Sequence, residues 1–486
     1  MKAKLKRSAA CVAATLLLAC AGGARADEAT AAAAAPAVAQ AQVAPAQAAP
    51  APLALPEAEV EKLLAAYALI KHNYVGKTDD KALFEGALSG MLASLDPHSS
   101  YLDKDAMQDM QREDSGEYVG IGIEVESQRD QLHVVAVSDG SPAARAGIVN
   151  GDVIASVDGV AVTGLPNDDV ARRMRGTPGS AVKVGLTHGG KSRSLRIVRA
   201  ELHNATVRSR MAAPGLAWIR ISEFGGATGA DLAAALKKLD GKEPPRGLVL
   251  DLRNDPGGLV PAAVAVAGAF LPQDSVVFSA RGREDGGTAV VTVDQRYYRL
   301  PKEADVLAGL PAWTRTVPLT VLVNGASASS AELVTGALQD HQRATVIGTR
   351  TFGKGSIQSV IPLGEDDGIK FTVARYFTPN GREIQAHGVV PDIVVAPKAD
   401  ADEGPLLREA DLARHLPAAT ETPDDAAGAR GTAELTSTFG TRDDKALQAA
   451  VALLTPDDKR TASLAALLRR WSASLKPGLA GGAGAP

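Results

Sequence analysis

Val323-Asn324-Gly325-Ala326-Ser327-Ala328-Ser329-Ser330-Ala331-Glu332 runs directly into Leu333-Val334-Thr335-Gly336-Ala337-Leu338-Gln339-Asp340 and then Ala344-Thr345-Val346-Ile347-Gly348. Small residues around three serines open a helix, and the β-branched stretch after it reads as a return strand. Beyond that strand comes Thr351-Phe352-Gly353-Lys354-Gly355-Ser356-Ile357-Gln358, a lysine between two glycines. Ser329 and Lys354 stand 25 residues apart (354 − 329). The helix and its return strand can bring the lysine back to the serine, which suggests a serine nucleophile with a lysine base.

The same alternation extends upstream. Leu216-Ala217-Trp218-Ile219-Arg220-Ile221 is followed by a helical stretch near Asp231–Leu239 and by Gly247-Leu248-Val249-Leu250-Asp251-Leu252-Arg253. The last is a continuous apolar run of the kind buried on both faces of a parallel sheet. Strands and helices alternate to about Pro397, which predicts an α/β domain.

Composition narrows the chemistry. The chain has 486 residues, 45% of them hydrophobic, enough for two or three domains with real cores. Lys+Arg is 52 against Asp+Glu 56, a net charge of -4, so no basic excess draws nucleic acid. Cys11 and Cys20 are the only cysteines and both lie in the N-terminal segment, which excludes a cysteine nucleophile or thiolate metal site in the mature domains. The histidines are scattered and no His-Glu-x-x-His motif occurs, so neither a metal nor a cofactor is expected.

The first 26 residues read as a signal peptide: Lys2, Lys4, Lys6 and Arg7, then an apolar stretch Ala9–Ala19, then Ala24-Arg25-Ala26 before a mature start at Asp27. This predicts export, most simply to a bacterial periplasm. Leu17-Leu18-Ala19-Cys20 also resembles a bacterial lipoprotein box, and lipidation of Cys20 would tether the chain to a membrane. Residues 27–56 form an Ala/Pro/Gln spacer that cannot bury a core. A helical region spans 57–115, with Val60, Leu63, Leu64, Tyr67 and Ile70 on one face and a second helix at about Lys81–Leu95. Short strands and turns fill 116–200, the α/β domain 201–397, and a linker 398–441. Amphipathic helices at Lys445–Leu454 and Thr461–Leu475 fill 442–476, before a Gly/Ala tail over 477–486.

Three sets of residues carry a family resemblance. Ser327-Ala328-Ser329-Ser330-Ala331-Glu332 is close to the Ser-Ala-Ser-Ala-Ser-Glu of the carboxyl-terminal processing (tail-specific) proteases, whose middle serine is reactive. The glycine-flanked Lys354 and the segments Tyr376-Phe377-Thr378-Pro379-Asn380-Gly381-Arg382 and Gly388-Val389-Val390-Pro391-Asp392-Ile393 also resemble that family. Ser141-Pro142-Ala143, Ala146-Gly147-Ile148, Gly151-Asp152-Val153-Ile154 and Val157-Asp158-Gly159 resemble a PDZ domain in its circularly permuted bacterial form. The resemblance spans about Glu57 to Pro397. It implies an α/β multidomain chain in which a β-rich PDZ domain with short helices precedes an α/β serine-peptidase domain, flanked by helical N- and C-terminal regions.

It further implies Ser329 as nucleophile, Lys354 as general base and Gln358 as the residue that orients the lysine. The oxyanion hole would use backbone amides of Ser330 and of the Leu252-Arg253-Asn254-Asp255-Pro256-Gly257-Gly258 segment, with Gly257 the favoured donor. A lysine acts as base only when neutral. Its usual pKa of about 10.4 must fall toward about 7–8, which burial achieves by disfavouring the ammonium. The bland alternative, a surface lysine in a glycine turn, gives way because both motifs and their spacing agree. Gln358 would offer its amide oxygen to the lysine amine. Glu332 reads as a first-turn charge favourable to the helix dipole, and His98 in Asp96-Pro97-His98-Ser99 as a turn residue. A Ser-His-Asp reading through His341 and Asp340 puts both at the far end of the helix that Ser329 opens.

In the PDZ region, Val119-Gly120-Ile121-Gly122 is the expected carboxylate cradle, with Ile121 and Ile123 lining an apolar pocket or filling the domain core. The partners expected are protein substrates with free, apolar C-termini. An adaptor lipoprotein and a homodimer through the terminal helices are further partners compatible with the sequence. The rival function is a catalytically silent PDZ peptide-binding scaffold on the same fold.

Overall fold

The computed structural model describes residues 56–395, 407–419 and 439–455, apart from 116, 129–130, 138–140, 150, 164, 166–169, 171–172, 189, 204–205, 242, 284–286, 300–303 and 442. The expected signal peptide, the spacer up to residue 55, the helix at Thr461–Leu475 and the tail lie outside the described residues, as does most of the linker. The described residues fall in one compact unit, Ala41–Pro486.

Helices α1 (Glu57–Asn73) and α2 (Asp80–Ala93) come first, followed by β1 (Ser100–Leu102) and α3 (Lys104–Ser115). The Asp79 carboxylate caps α2 by accepting from the Ala82 amide. On the apolar stripe of α1, Val60, Leu63, Leu64 and Ile70 remain exposed among the described residues, while Tyr67 is half-buried with its ring 5.2 Å from that of Phe84.

The second region holds β2 (Glu117–Gly120), β3 (Ile123–Gln128), β4 (Gln131–Val137), α4 (Pro142–Arg145), β5 (Val153–Val157), β6 (Val160–Ala161), β7 (Ala181–His188), β8 (Lys191–Val198) and β9 (Ala200–His203). A sheet ordered β3-β4-β5-β7-β8 surrounds a core of Ile121, Leu132, Val134, Ile154, Val170, Val182 and Leu186. The run Tyr118–Val125, which reads as one glycine-interrupted strand, is two. β2 pairs with β9 and β3 with β4. Gly122 breaks the run with φ +83, and a Cβ there would lie 2.3 Å from the Ser141 Cβ. Only glycine meets both demands.

The third region opens with β10 (Val207–Ala213), β11 (Leu216–Ile221), α5 (Thr228–Leu239), β12 (Gly247–Asp251), α6 (Val260–Gly268), β13 (Val276–Arg281), β14 (Thr288–Thr292) and α7 (Gln295–Tyr298). It continues with β15 (Leu319–Val323), α8 (Ser330–Asp340), β16 (Thr345–Gly348), β17 (Ser356–Pro362), β18 (Gly368–Phe377) and β19 (Ile393–Val394). After the linker, α9 (Lys445–Leu454) has the bounds its amphipathic pattern predicts.

The main sheet runs β10-β11-β12-β15-β16-β19, parallel throughout except for the β10–β11 pair. Every residue of β11, β12 and β15 is buried, because helices cover both faces. One face packs Ile219, Leu250 and Val321 against α5, α6 and α8. The other packs Trp218, Val249, Leu322 and Ile347 against Ala446, Leu447 and Ala450 of α9. A second sheet, β1-β18-β13-β14 with β17 on β18, ties the N-terminal region to the peptidase-like domain: Ser100 pairs with Lys370, and the Tyr101 hydroxyl bonds Asp367 at 2.7 Å.

Candidate active site

Three neighbouring parallel strands deliver the site. β12 pairs with β15 and β15 with β16, so their carboxyl ends lie side by side. From them leave the loop to Gly257, the loop to Ser329 and the loop to Lys354. The carboxyl end of an open parallel sheet is where crossovers leave room for a ligand. Hydrogen bonds lock the loops together. The Ala328 amide donates to the Asp255 carbonyl at 2.8 Å and the Phe352 amide to the Ser327 carbonyl at 3.0 Å. The Asn324 side chain donates to Asn254 Oδ1 at 2.7 Å.

The three serines differ in what their hydroxyls do. Ser327 is fully buried and its hydroxyl donates to the Leu252 carbonyl at 2.7 Å. The Ser330 hydroxyl donates to the Gly258 carbonyl at 2.7 Å. Ser329 is the one left partly open to solvent. It sits at the N-cap of α8 with φ 51 and ψ −115, a conformation L-residues rarely adopt. Holding it there costs about 1–3 kcal/mol, which the surrounding bonds must offset. A sharp strand-to-helix turn of this kind lifts a nucleophile's oxygen clear of the chain.

Lys354 lies in the loop before β17. Burial pushes its amine pKa down, and the positive Lys370 adds to this; Glu409, Glu332 and Asp96 pull the other way. Among the described residues its ammonium joins no ion pair. Gln358 stands on β17 at a bulge. Its amide nitrogen donates to Ser356 Oγ at 2.9 Å and Thr372 Oγ1 at 3.2 Å. Among the described residues no hydrogen bond joins Gln358 to Lys354.

Gly257 lies against Ser329. A Cβ built on it would sit 2.7 Å from Ser329 Cβ and 2.8 Å from the Ser330 nitrogen. Its own N–H, however, donates to Asp255 Oδ1 at 2.8 Å. The amide expected as an oxyanion donor is thus engaged by Asp255 in this structure, and Gly257 leaves no side chain between itself and Ser329. The amides of Gly258 and Ser330 accept no such commitment; neither donates to any described residue. Burial holds the Asp255 carboxyl well above the usual carboxylate range, opposed by the Gly257 amide and Arg220.

Glu332 is the residue whose place the sequence did not disclose. It is fully buried. Its Oε2 accepts from the Ser329 amide and from the Lys354 amide, both at 2.9 Å. Its Oε1 accepts from the Gly353 amide at 2.7 Å and from the Thr351 hydroxyl. Burial pushes its carboxyl up to about 7 against the pull of these donors. The only local signal is that Glu332 stands three residues after Ser329, the spacing of a capping box.

His98 is a turn residue, as its setting predicts, with its amide on Asp96 Oδ1 at 2.9 Å; its ring also meets Glu409 Oε2 at 2.8 Å. His341 caps the far end of α8, 11 residues long, and its Nε2 meets the Val276 carbonyl. At about 1.5 Å per residue that end is roughly 16 Å from the serine, too far for a catalytic pair. In the PDZ region Ile121 is 2% exposed and packs in the domain core. Val119 and Ile123 are half-buried and Gly120 and Gly122 buried. Among the described residues β3 has no neighbour but β4, so its outer edge is open to an added strand.

Comparison with known proteins agrees with this architecture. The model for peptidase family S41 matches residues 215–395, that for a PDZ domain residues 119–198, and that for the activating protease CtpB N-terminal domain residues 17–106. The chain is a serine-type peptidase with a PDZ domain ahead of its α/β peptidase domain. A carboxy-terminal-processing protease of Bartonella bacilliformis is 39% identical over 358 residues, covering 71% of this chain and 78% of that protein. A probable CtpA-like serine protease of Staphylococcus haemolyticus is 33% identical, covering 70% of this chain and 65% of its own. The solved photosystem II D1 C-terminal processing protease is 30% identical over 69% of this chain and 92% of its own, with a TM-score of 0.43. The chain belongs to peptidase family S41, among the carboxy-terminal-processing proteases.

Proposed function

We propose that the chain is an exported endopeptidase, working most simply in a bacterial periplasm, that cleaves proteins chosen by a free apolar C-terminus. Cleavage goes through an acyl-enzyme on Ser329. Lys354, neutral, takes the Ser329 proton as Oγ attacks the scissile carbonyl. The protonated amine then gives that proton to the leaving nitrogen, the peptide bond breaks and an ester remains. Water, deprotonated by the same lysine, hydrolyses the ester. The negative oxygen of each tetrahedral intermediate lies against the Ser330 amide, at the positive end of α8, with Gly258 in place of Gly257 as second donor. Gln358, whose amide oxygen accepts from none of the described residues, turns that oxygen to the lysine amine as substrate enters.

The observation that carries this reading is the pairing of loops. Ser329 and Lys354 leave adjacent strands, meet on one carboxylate, and place a serine in a strained turn beside a lysine whose charge is disfavoured. The open edge of β3 and the loop Val119–Ile123 supply the tail-binding site. Recruitment by an adaptor lipoprotein, dimerisation through the exposed α1 face and tethering through Cys20 are compatible additions.

The test is cleavage of a loosely folded protein with an apolar or a charged C-terminus, by the purified chain and by Ser329→Ala, followed by intact mass. Cleavage by wild type alone, faster on the apolar tail, is expected. Equal cleavage by Ser329→Ala overturns the nucleophile, and equal rates on both tails overturn the tail reading.

A further inference from the structure

We propose that Glu332 is the positioning residue of this site, its one buried carboxylate fixing the backbones of nucleophile and base to each other. The proposal rests on the Ser329–Lys354 reading above. A capping glutamate needs only one partner, the N-cap amide, here that of Ser329. The other three donors to Glu332, from Thr351, Gly353 and Lys354, belong to a different loop and have no part in a helix cap. They arrive because the lysine loop leaves β16 beside β15 and turns over the start of α8.

The geometry is specific about what is held. Oε2 takes both the Ser329 and the Lys354 amide, so a single oxygen atom is the shared reference for the two reacting residues. Oε1 takes the Gly353 amide and the Thr351 hydroxyl, both from the lysine loop but from neither reacting residue. The Thr351 hydroxyl is in turn held by the Val389 amide at 2.6 Å. The bond to the Ser329 amide also stands against that residue's strained backbone, φ 51 and ψ −115. Glu332 touches neither substrate nor the reacting atoms. It acts through the backbone, holding the Ser329 and Lys354 main chains to one another.

Glu332→Gln tests this. An amide has one accepting oxygen, so its NH2 must face at least one of the backbone N–H groups that now donate to the carboxylate. The comparison variant is Thr351→Val, which removes an Oε1 partner and leaves both Oε2 bonds. Ser329→Ala and Lys354→Met complete the series. The readouts are kcat and KM on a tailed protein substrate, the rate of Ser329 labelling by a fluorophosphonate, and the melting temperature. Since misplacement of about 1 Å costs on the order of 10²-fold, Glu332→Gln should lower kcat and labelling by about ten- to a hundredfold. KM should stay within about twofold, because the tail site is elsewhere. Thr351→Val should lose as much melting temperature yet keep kcat within about threefold. If Glu332→Gln does not fold, Glu332→Asp, with the same charge set back by one methylene, takes its place with the same expectation. Equal kcat losses in the Glu332 and Thr351 variants, or none in the Glu332 variant, overturn the proposal. Activity in Ser329→Ala or Lys354→Met would instead overturn the dyad on which it rests.

Discussion

Gly257→Ala places a methyl group where the Asp255–Gly258 loop meets Ser329, the proposed nucleophile. The backbone there has φ +95, which an alanine adopts at a cost of about 1–3 kcal/mol. The new Cβ would also stand 2.7 Å from the Ala328 carbonyl oxygen, 2.7 Å from Ser329 Cβ and 2.8 Å from the Ser330 nitrogen. Two of these three neighbours are backbone and cannot rotate away. Reaching ordinary contact near 3.4 Å requires the loop and the serine to part by roughly 0.7 Å. Overpacking of this kind costs a further ~1–3 kcal/mol. A displacement of that size between nucleophile and oxyanion donors should reduce kcat by about 10²-fold. Gly309→Ala supplies the control: φ +68 brings a similar backbone penalty, but nothing lies within 4 Å of the added Cβ. The assay is steady-state cleavage with a fluorophosphonate count of competent sites and a thermal melt of each variant. Gly257→Ala should lose kcat while KM holds, and Gly309→Ala should lose only melting temperature. If Gly257→Ala keeps kcat within about threefold of wild type, the contact of the two loops does not govern catalysis and the reasoning fails.

Further predictions follow from the buried charges. Because burial lowers the folded-state pKa of Lys354, the fold favours its neutral form and gains stability as pH rises toward the unfolded value near 10.4. Lys354→Met should therefore abolish cleavage yet melt higher than wild type at pH 7, the difference shrinking by about pH 10; a lower melting temperature at every pH would contradict this. Asp255 has a raised folded pKa, so its contribution is present below the unfolded value near 3.9 and lost as pH rises through the folded one. Asp255→Asn, which keeps the acceptor for the Gly257 amide, should match wild type near pH 3 and exceed it in denaturant stability at pH 8. Asp444→Asn leaves the buried Arg253, now bonded to Asp444 at 2.9 and 2.6 Å, with half its counter-charge. A loss of about 3–5 kcal/mol is expected in urea unfolding, and a loss below about 1 would show the pair to be idle.

The fold was legible where one stretch of chain carries its own reason. β11, β12 and β15 are apolar at nearly every position because helices cover both their faces, and Ser329 and Lys354 stand out through the glycines and small residues their loops require. What the sequence hid depends on atoms distant along the chain or on a hydrogen bond. The sequence favours Gly257 as the donor and cannot show that the Asp255 side chain takes its amide and leaves that of Gly258. Glu332 reads as a first-turn charge favourable to the helix dipole until the lysine loop folds over it. The pattern from Tyr118 to Val125 does not reveal that Gly122 turns the chain from one sheet to another. The apolar face of α1 has a core-facing pattern, yet among the described residues none of that helix is buried.

Arg253 has a consequence in the order of synthesis. It opens the loop that carries Gly257, and it lies under the Phe439 ring at 3.9 Å with Asp251 on one side and Asp444 on the other. Asp444 is 191 residues further along the chain. A ribosome has therefore made both Ser329 and Lys354 well before the counter-ion that completes the anchor of their oxyanion loop. The nascent chain holds every reacting group yet lacks the bolt behind them, so proteolytic competence is expected to switch on only with residues 439–455. In a series of chains ended at successive points after Lys354, fluorophosphonate labelling should jump as Asp444 is passed rather than rise with length.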